Sequence, residues 1–529
     1  MESLELLKNQ QAHKVKETTQ IYDNWCLPSS SEIIKYAGLE QGILLLLFVL
    51  IGLVFAFRLK GKNSLSIVSS YRYNLLSNSY LLKIVKSKYF SFSIRFLPAL
   101  LFVFILITGF YGRKYTSLAA GFTWLFWWTL LIYFVAFAGK VFCAVCPWDF
   151  FANLFQFGWF HKLKKSSSGL NLKWPKALKN VYPAIFFFVV LTWLELGFDI
   201  TRNSYFTAWL GLLMVVMAVL SALIFERRSF CRYACLVGRV SGLYAQVSPV
   251  ELRKINSQVC TACKTKECIT GTTATTPCPT FEKPFKLEQN TYCTLCTECI
   301  RSCDKDNLSL FLRPPGVDLE KIKTSRKDES VLAYVMLILT FFHGITMTKY
   351  WFTWTAYIGN IANVNYQWSF TILMLITLFG AYFLLKGFEL FIARFVSGNN
   401  MGMNLAYVFI PITLGYHLGH NSMHLFIELS YLVPIINDPF GFGWNLFGLA
   451  GYQPAPFINP DMLRYIQLSV VLIGFYYSIK ALRQRLEQIS DAVKERTMMF
   501  IGYYLIMLVL AVLAIWFVYQ PMVMKSVSV

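Results

Sequence analysis

At 529 residues, with 56% hydrophobic, 17% aromatic and only 15% charged residues, the chain departs far from a soluble protein, where about 25% of residues are charged. That balance excludes a soluble globular enzyme and a disordered chain, and implies a polytopic protein in contact with membrane lipid. The formal net charge of +21 is spread over many loops, which argues against a nucleic-acid partner and makes the charge an orientation signal.

The first forty residues, from MESLELLKNQQAHKVKETTQ onward, are polar and lack an apolar signal core, so the first apolar stretch is expected to stay as a helix. A span needs about 20 apolar residues. On that length the sequence yields ten candidate transmembrane helices, at 42–58, 95–112, 117–138, 182–199, 206–226, 331–349, 367–386, 403–433, 465–481 and 499–519. The connection 58–95 carries Arg58, Lys60, Lys62, Arg72, Lys83, Lys86, Lys88 and Arg95, and 139–181 carries seven more lysines, whereas 350–366 has no Lys or Arg and 434–464 only Arg464. The positive-inside rule then makes the basic connections and the loop 227–330 cytoplasmic, and both termini extracytoplasmic. Cys26, alone on the outer side, reads as a plain surface residue.

Two cysteine pairs sit where spans leave the membrane. GKVFCAVCPW holds Cys143 and Cys146 before Pro147, and RRSFCRYACLVG holds Cys231 and Cys235. Both follow spans ending on the same side, so the four thiols can meet at one depth. They are candidates for a third iron–sulfur or soft-metal centre, with a dithiol relay or inert packing as the alternatives.

The loop beyond them reads as a bacterial-type two-cluster ferredoxin. YCTLCTECIRSC spaces Cys293, Cys296, Cys299 and Cys303 as C-x2-C-x2-C-x3-C, and VCTACKTKECITGTTATTPCP supplies Cys260, Cys263, Cys268 and Cys278 before Pro279. In such proteins the fourth cysteine of each motif ligates the other cluster. Cys260, Cys263, Cys268 and Cys303 are thus expected on one 4Fe–4S cluster, and Cys293, Cys296, Cys299 and Cys278 on the second. The pattern departs in the four residues before Cys268, the nine before Cys278, and Asp304 after Cys303. Zinc ribbons are the alternative for two C-x2-C pairs, but they leave the third and fourth cysteines of each motif unexplained. A cytosolic setting keeps these thiols reduced and favours metal over disulfides.

The half beyond residue 331 contains no cysteine. GYHLGHNSMHLF places His417, His420 and His424 on one face of the eighth span, and His343 in TFFHGITM reaches their depth at about 1.5 Å per residue. Such residues in hydrocarbon are costly and usually functional, which makes this a candidate haem b or quinone site; helix-to-helix hydrogen bonding is the plain alternative. Pro411 is expected to kink the span, and Met347 and Met423 offer soft ligands. The aromatic, Gly- and Pro-rich segment 435–460 reads as an interfacial loop. No phosphate-cradling motif and no C-x-x-C-H haem-attachment motif occur.

Five spans with Cys motifs at the membrane edge, followed by two ferredoxin motifs, resemble the membrane-bound polyferredoxins of the NapH, NosR and CcoG type over residues 90–315. That resemblance implies quinol oxidation, electron supply to extracytoplasmic reductases or, in one branch, copper reduction. Its usual C-x3-C-P motifs are altered here, since Cys143 and Cys146 are one residue closer and Leu236 replaces the second proline. The expected organisation is an extracytoplasmic segment 1–41, a five-span domain 42–249, a ferredoxin domain 250–315, a linker 316–330 and a five-span domain 331–529. The expected function is that of an oxidoreductase or electron-transfer subunit of a bacterial-type inner membrane, linking two 4Fe–4S clusters to the quinone pool, a haem or a redox partner protein. The alternative is a copper or iron reductase or assembly factor for a respiratory metalloenzyme.

Overall fold

The computed structural model describes residues 43–55, 71–158, 169–321, 326–394, 405–490 and 492–520. Cys26 and the segment 1–41 lie outside the described residues. Seven described helices are long and apolar enough to cross a membrane, so the chain is a polytopic helical membrane protein. Among the elements that matter below are α1 (Ile43–Phe55), α2 (Ser79–Lys86), α3 (Phe90–Tyr111), α4 (Leu118–Ala138), α5 (Val141–Ala144), α6 (Pro147–Phe157), α7 (Tyr182–Gly197) and α8 (Ser204–Ile224). They are followed by α9 (Ser229–Tyr233), α10 (Leu236–Tyr244), α11 (Lys327–Thr346), α12 (Lys349–Ala362), α13 (Tyr366–Ala393), α14 (Ile410–Met423), α15 (Pro460–Ile489) and α16 (Val493–Tyr519).

The seven are α3, α4, α8, α11, α13, α15 and α16. The other three expected spans are shorter or broken. The described part of the first is α1, α7 has only 16 residues, and 403–433 is interrupted around α14. A tight turn, Ala406–Phe409, precedes α14, and a π-helical turn, His424–Glu428, follows it. Pro411 sits in the first turn of α14, where its missing N–H costs nothing, so the change of helix type falls before it. α14 packs on α15 through facing glycines: a methyl on Gly415 would lie 2.6 Å from the Val470 carbonyl, and one on Gly474 2.6 Å from that of Pro411. Small residues let two membrane helices approach this closely. Gln467, buried on α15, donates to the Gly419 carbonyl at 2.9 Å.

The stretch expected to be an outer connection, 350–366, is mostly the helix α12, with Trp351 buried. The loop after 435 is anchored, since Arg113 N–H donates to Phe440 O at 2.8 Å and Leu118 N–H to Pro439 O at 2.9 Å. Phe442 and Trp444 stay about half exposed, as an interfacial loop requires.

Beyond one end of the bundle lies a small domain built on a three-stranded antiparallel sheet of order β1 (Tyr73–Asn74), β3 (Leu308–Leu312), β2 (Val250–Lys254). Its edge strand and α2 come from the connection between the first two expected spans. Lys86 pairs with Asp306, and Ser91 Oγ donates to Glu298 Oε1 at 2.5 Å, so that basic connection is part of the domain. Buried charges tie its strands to the segment that follows them: Arg253 lies 3.0 Å from Asp318, and Arg313 pairs with Glu251 at 2.8 Å and with Asp318. Breaking one member of such a set would leave a charge buried without its partner.

Candidate functional site

The eight clustered cysteines divide four and four between two cavities of this domain. Cys260, Cys263, Cys268 and Cys303 line one with Lys266, Lys305 and Asn307, while Cys278, Cys293, Cys296 and Cys299 line the other with Leu252, Leu287 and Glu298. Each cavity takes three cysteines from one motif and the last from the other. The cavities are neighbours, because the charge of Cys268 acts on Cys299. Short helical turns supply the sulfurs, and the left-handed Lys266, Leu295 and Thr297 bend the chain around them.

Donors point at sulfur. Asn307 gives its side-chain N–H to Cys260 Sγ at 3.1 Å and its backbone N–H to Cys303 Sγ at 3.4 Å. Hydrogen bonds from the Thr265 side chain and the Lys266 backbone hold the half-buried Cys263 thiol below its ordinary range. In the deeper cavity, burial pushes Cys293 up to about 11 and Cys296 up to about 12. Four such thiols can stand as thiolates only with positive charge placed among them. Among the described residues, no three His, Cys, Asp or Glu side chains gather closely enough to hold a single metal ion. A tetrahedral zinc needs all its sulfurs about 2.3 Å away.

The membrane-edge cysteines lie next in line. Cys143 is on α5; Cys146 immediately precedes Pro147, which opens α6; Cys231 is on α9; Cys235 caps α10, its Sγ accepting from Gly238 N–H at 3.3 Å. The charge of Cys143 acts on Cys146, Cys231 and Cys235 alike, so the two pairs do meet. Burial pushes Cys235 up to about 11. Between this quartet and the deeper cavity stands Lys140, 1% exposed and lowered to about 8 by burial and then by Arg239. The charges of Cys143, Cys235 and Cys293 all act on it. Arg95 braces the same region by donating to Ala144 O at 2.8 Å and pairing with Asp149 at 3.5 Å, while Arg228 holds Asp149 at 2.6 Å.

Of the four histidines, three form a file. The His343 and His420 rings are 4.8 Å apart and those of His420 and His424 5.5 Å. His417 instead directs Nδ1 to the Tyr244 hydroxyl at 3.1 Å, at the end of α10. Met347 and Met423 belong to the apolar core. His424 Nδ1 meets Glu428 Oε2 at 2.5 Å across the π-helical turn, and the charge of Glu195 on α7 also acts on His424. Glu428 thus contacts the imidazole directly, while Glu195 acts on it by charge alone. Spacing pointed to the cysteines and histidines, whereas Asn307 and Tyr244 carry no local signal and are found only through their contacts, as are the partners of Lys140, Glu195 and Glu428.

No protein-family model and no solved structure matches the chain. It is similar to the uncharacterised protein MJ0749 of Methanocaldococcus jannaschii, with 28% identity over 178 residues, 32% of this chain and 64% of that protein. It is also similar to the putative electron transport protein YccM of Escherichia coli, with 29% identity over 129 residues, 24% of this chain and 32% of that one. The chain thus spans less than two thirds of either relative, one of which is described as a putative electron transport protein.

Proposed function

We propose that this protein is a membrane electron-transfer protein whose small domain holds two 4Fe–4S clusters, the first on Cys260, Cys263, Cys268 and Cys303 and the second on Cys278, Cys293, Cys296 and Cys299. The observation that carries this reading is the four-and-four division of cysteines between adjacent cavities. The partial likeness to a putative electron transport protein supports the same class of function. Such clusters store and pass single electrons, at potentials set by cluster charge, hydrogen bonds to sulfur and exposure. This chain's part is to hold them in sequence. The outer cavity faces solvent beside Lys266 and Lys305, the inner one is buried, and Lys140 bridges it to Cys143, Cys146, Cys231 and Cys235 as a third centre. The domain faces the cytoplasm in this reading, because Lys86 and Lys140, both in basic connections, touch it directly. The acceptor or donor at the far end is a quinone, a haem or an extracytoplasmic protein.

Anaerobic purification with iron and sulfide analysis tests this reading. About eight irons per chain from the two cavities are expected, with more if the edge quartet also binds a cluster. Stoichiometric zinc without iron would refute it. Optical and EPR spectra of the same sample count the centres.

A further inference from the structure

The histidine file continues inward as a polar column. Glu329 accepts from the Tyr407 hydroxyl at 2.7 Å at the end of the bundle nearest the small domain. From that level, at about 1.5 Å per residue, His417 lies about 15 Å deep, His343 and His420 about 20 Å, and His424 about 25 Å. α10, buried along its whole length, links Cys235 at its start to Tyr244 and so to His417. Beyond His417 come Tyr133, bonded to Ser422 at 2.7 Å, then the three-ring file, then Glu428 and Glu195.

Polar atoms in this stretch are buried without hydrogen-bond partners among the described residues. They are both ring nitrogens of His420, the Tyr416 hydroxyl and Glu428 Oε1. His420 is 4% exposed, Tyr416 1% and Glu428 2%. A buried polar atom left unsatisfied is costly, so together they mark a place where the protein keeps hydrogen-bonding capacity for something mobile. Gly344 makes room for it, since any side chain there would overlap the Tyr416 hydroxyl. The π-helical turn adds a second mark, as such turns gather at functional sites.

We propose that Glu195, Glu428, His424, His420 and His343 form a proton relay in the membrane half opposite the small domain, loaded from that face when a centre at the other end of the column is reduced. The inference rests on the electron-transfer reading above. One electron adds one negative charge to the protein; one proton from water on that face then binds the carboxylate and imidazole group, and it leaves when the electron does. Intramembrane files of Glu and His are suited to this because each member can accept and pass a proton. The titratable groups facing the file are Tyr133 from α4, Glu195 from α7, Tyr244 from α10, Tyr416 and His417 from α14 and, beyond the π-helical turn, Tyr431.

The test is reduced-minus-oxidised infrared difference spectroscopy on the full-length, cluster-loaded protein in lipid nanodiscs, with dithionite as reductant and the visible spectrum recorded on the same sample. Reduction should produce a protonated-carboxyl carbonyl band that shifts in D2O. Glu428→Gln and Glu195→Gln should each lose it, while Glu389→Gln, a buried carboxylate elsewhere on α13 paired with Lys386, should keep it. The D2O shift in the unmodified protein needs no variant and stands even if one substitution prevents folding. Cluster bleaching with no carboxyl band, a band untouched in both variants, or a band that appears only with sodium present would overturn the relay. Absence of bleaching itself would sink the electron-transfer reading, and the relay with it.

Discussion

The cysteine domain and the histidine file solve the same problem, placing reactive groups at fixed separations, in opposite ways. In the domain every cavity is built from sulfurs within 44 residues of chain, on short turns whose backbone aims N–H groups at them. In the file, Glu195, His343 and the stretch that carries His420 and Glu428 are far apart in sequence, and the cluster exists only because those three helices pack. Local chain geometry carries the first, and interhelical packing the second. Substitutions should therefore act locally and on chemistry in the domain, but through packing in the file.

The largest expected effect lies in the domain. Cys299→Ser should lower bound iron from about eight to about four per chain while the outer cluster's EPR signal survives, as expected for two independent sites of four cysteines each. Loss of both signals together would mean that the two cavities fold as one unit. Next comes Asn307→Leu, which removes donors to Cys260 and preserves volume. A hydrogen bond to a charged acceptor contributes about 1.5–3 kcal/mol, so the outer cluster's potential should fall in a redox titration while the inner one stays put.

In the bundle the comparison can be sharpened with two glycines. Gly344→Val should overpack against Tyr416 and cost about 1–3 kcal/mol, seen as a lower thermal midpoint with unchanged iron content. Gly380→Ala, on α13 with nothing within 4 Å of the new methyl, should instead be neutral or slightly stabilising, by up to about 1 kcal/mol. Equal effects at both positions would show that packing around the file is not special. A small effect is also expected of Tyr244→Phe. It removes one neutral hydrogen bond to His417, for about 0.5–1.5 kcal/mol of stability, and leaves both ferredoxin-type signals intact.

The grouping of the eight cysteines was legible because thiols supplied by one turn of chain recur at short, fixed intervals. The crossing of Cys278 and Cys303 between cavities followed from that spacing. Spans were legible for an equally local reason, since hydrocarbon demands a set length of apolar residues, and α3, α4, α8, α11, α13, α15 and α16 fall where the apolar runs do. The break around α14 was not, because the switch to a π-helical turn at His424 depends on what packs beside it. Nor was the role of the connection 58–95, whose residues 73 and 74 complete the sheet of a domain lying almost 180 residues further on.

What the sequence determined by itself is thus the set of interactions that act over a few residues: apolar length, cysteine spacing, and the 3.6-residue period that puts His417, His420 and His424 near one another. Tertiary structure decided which of these groups face each other. It turned His417 to Tyr244, brought His343 to His420, placed Lys140 between two sets of thiols, and set Glu428 against the His424 imidazole within reach of the Glu195 charge. Burial, charge and hydrogen-bond satisfaction are properties of surroundings, and the surroundings of a buried group are assembled from distant parts of the chain.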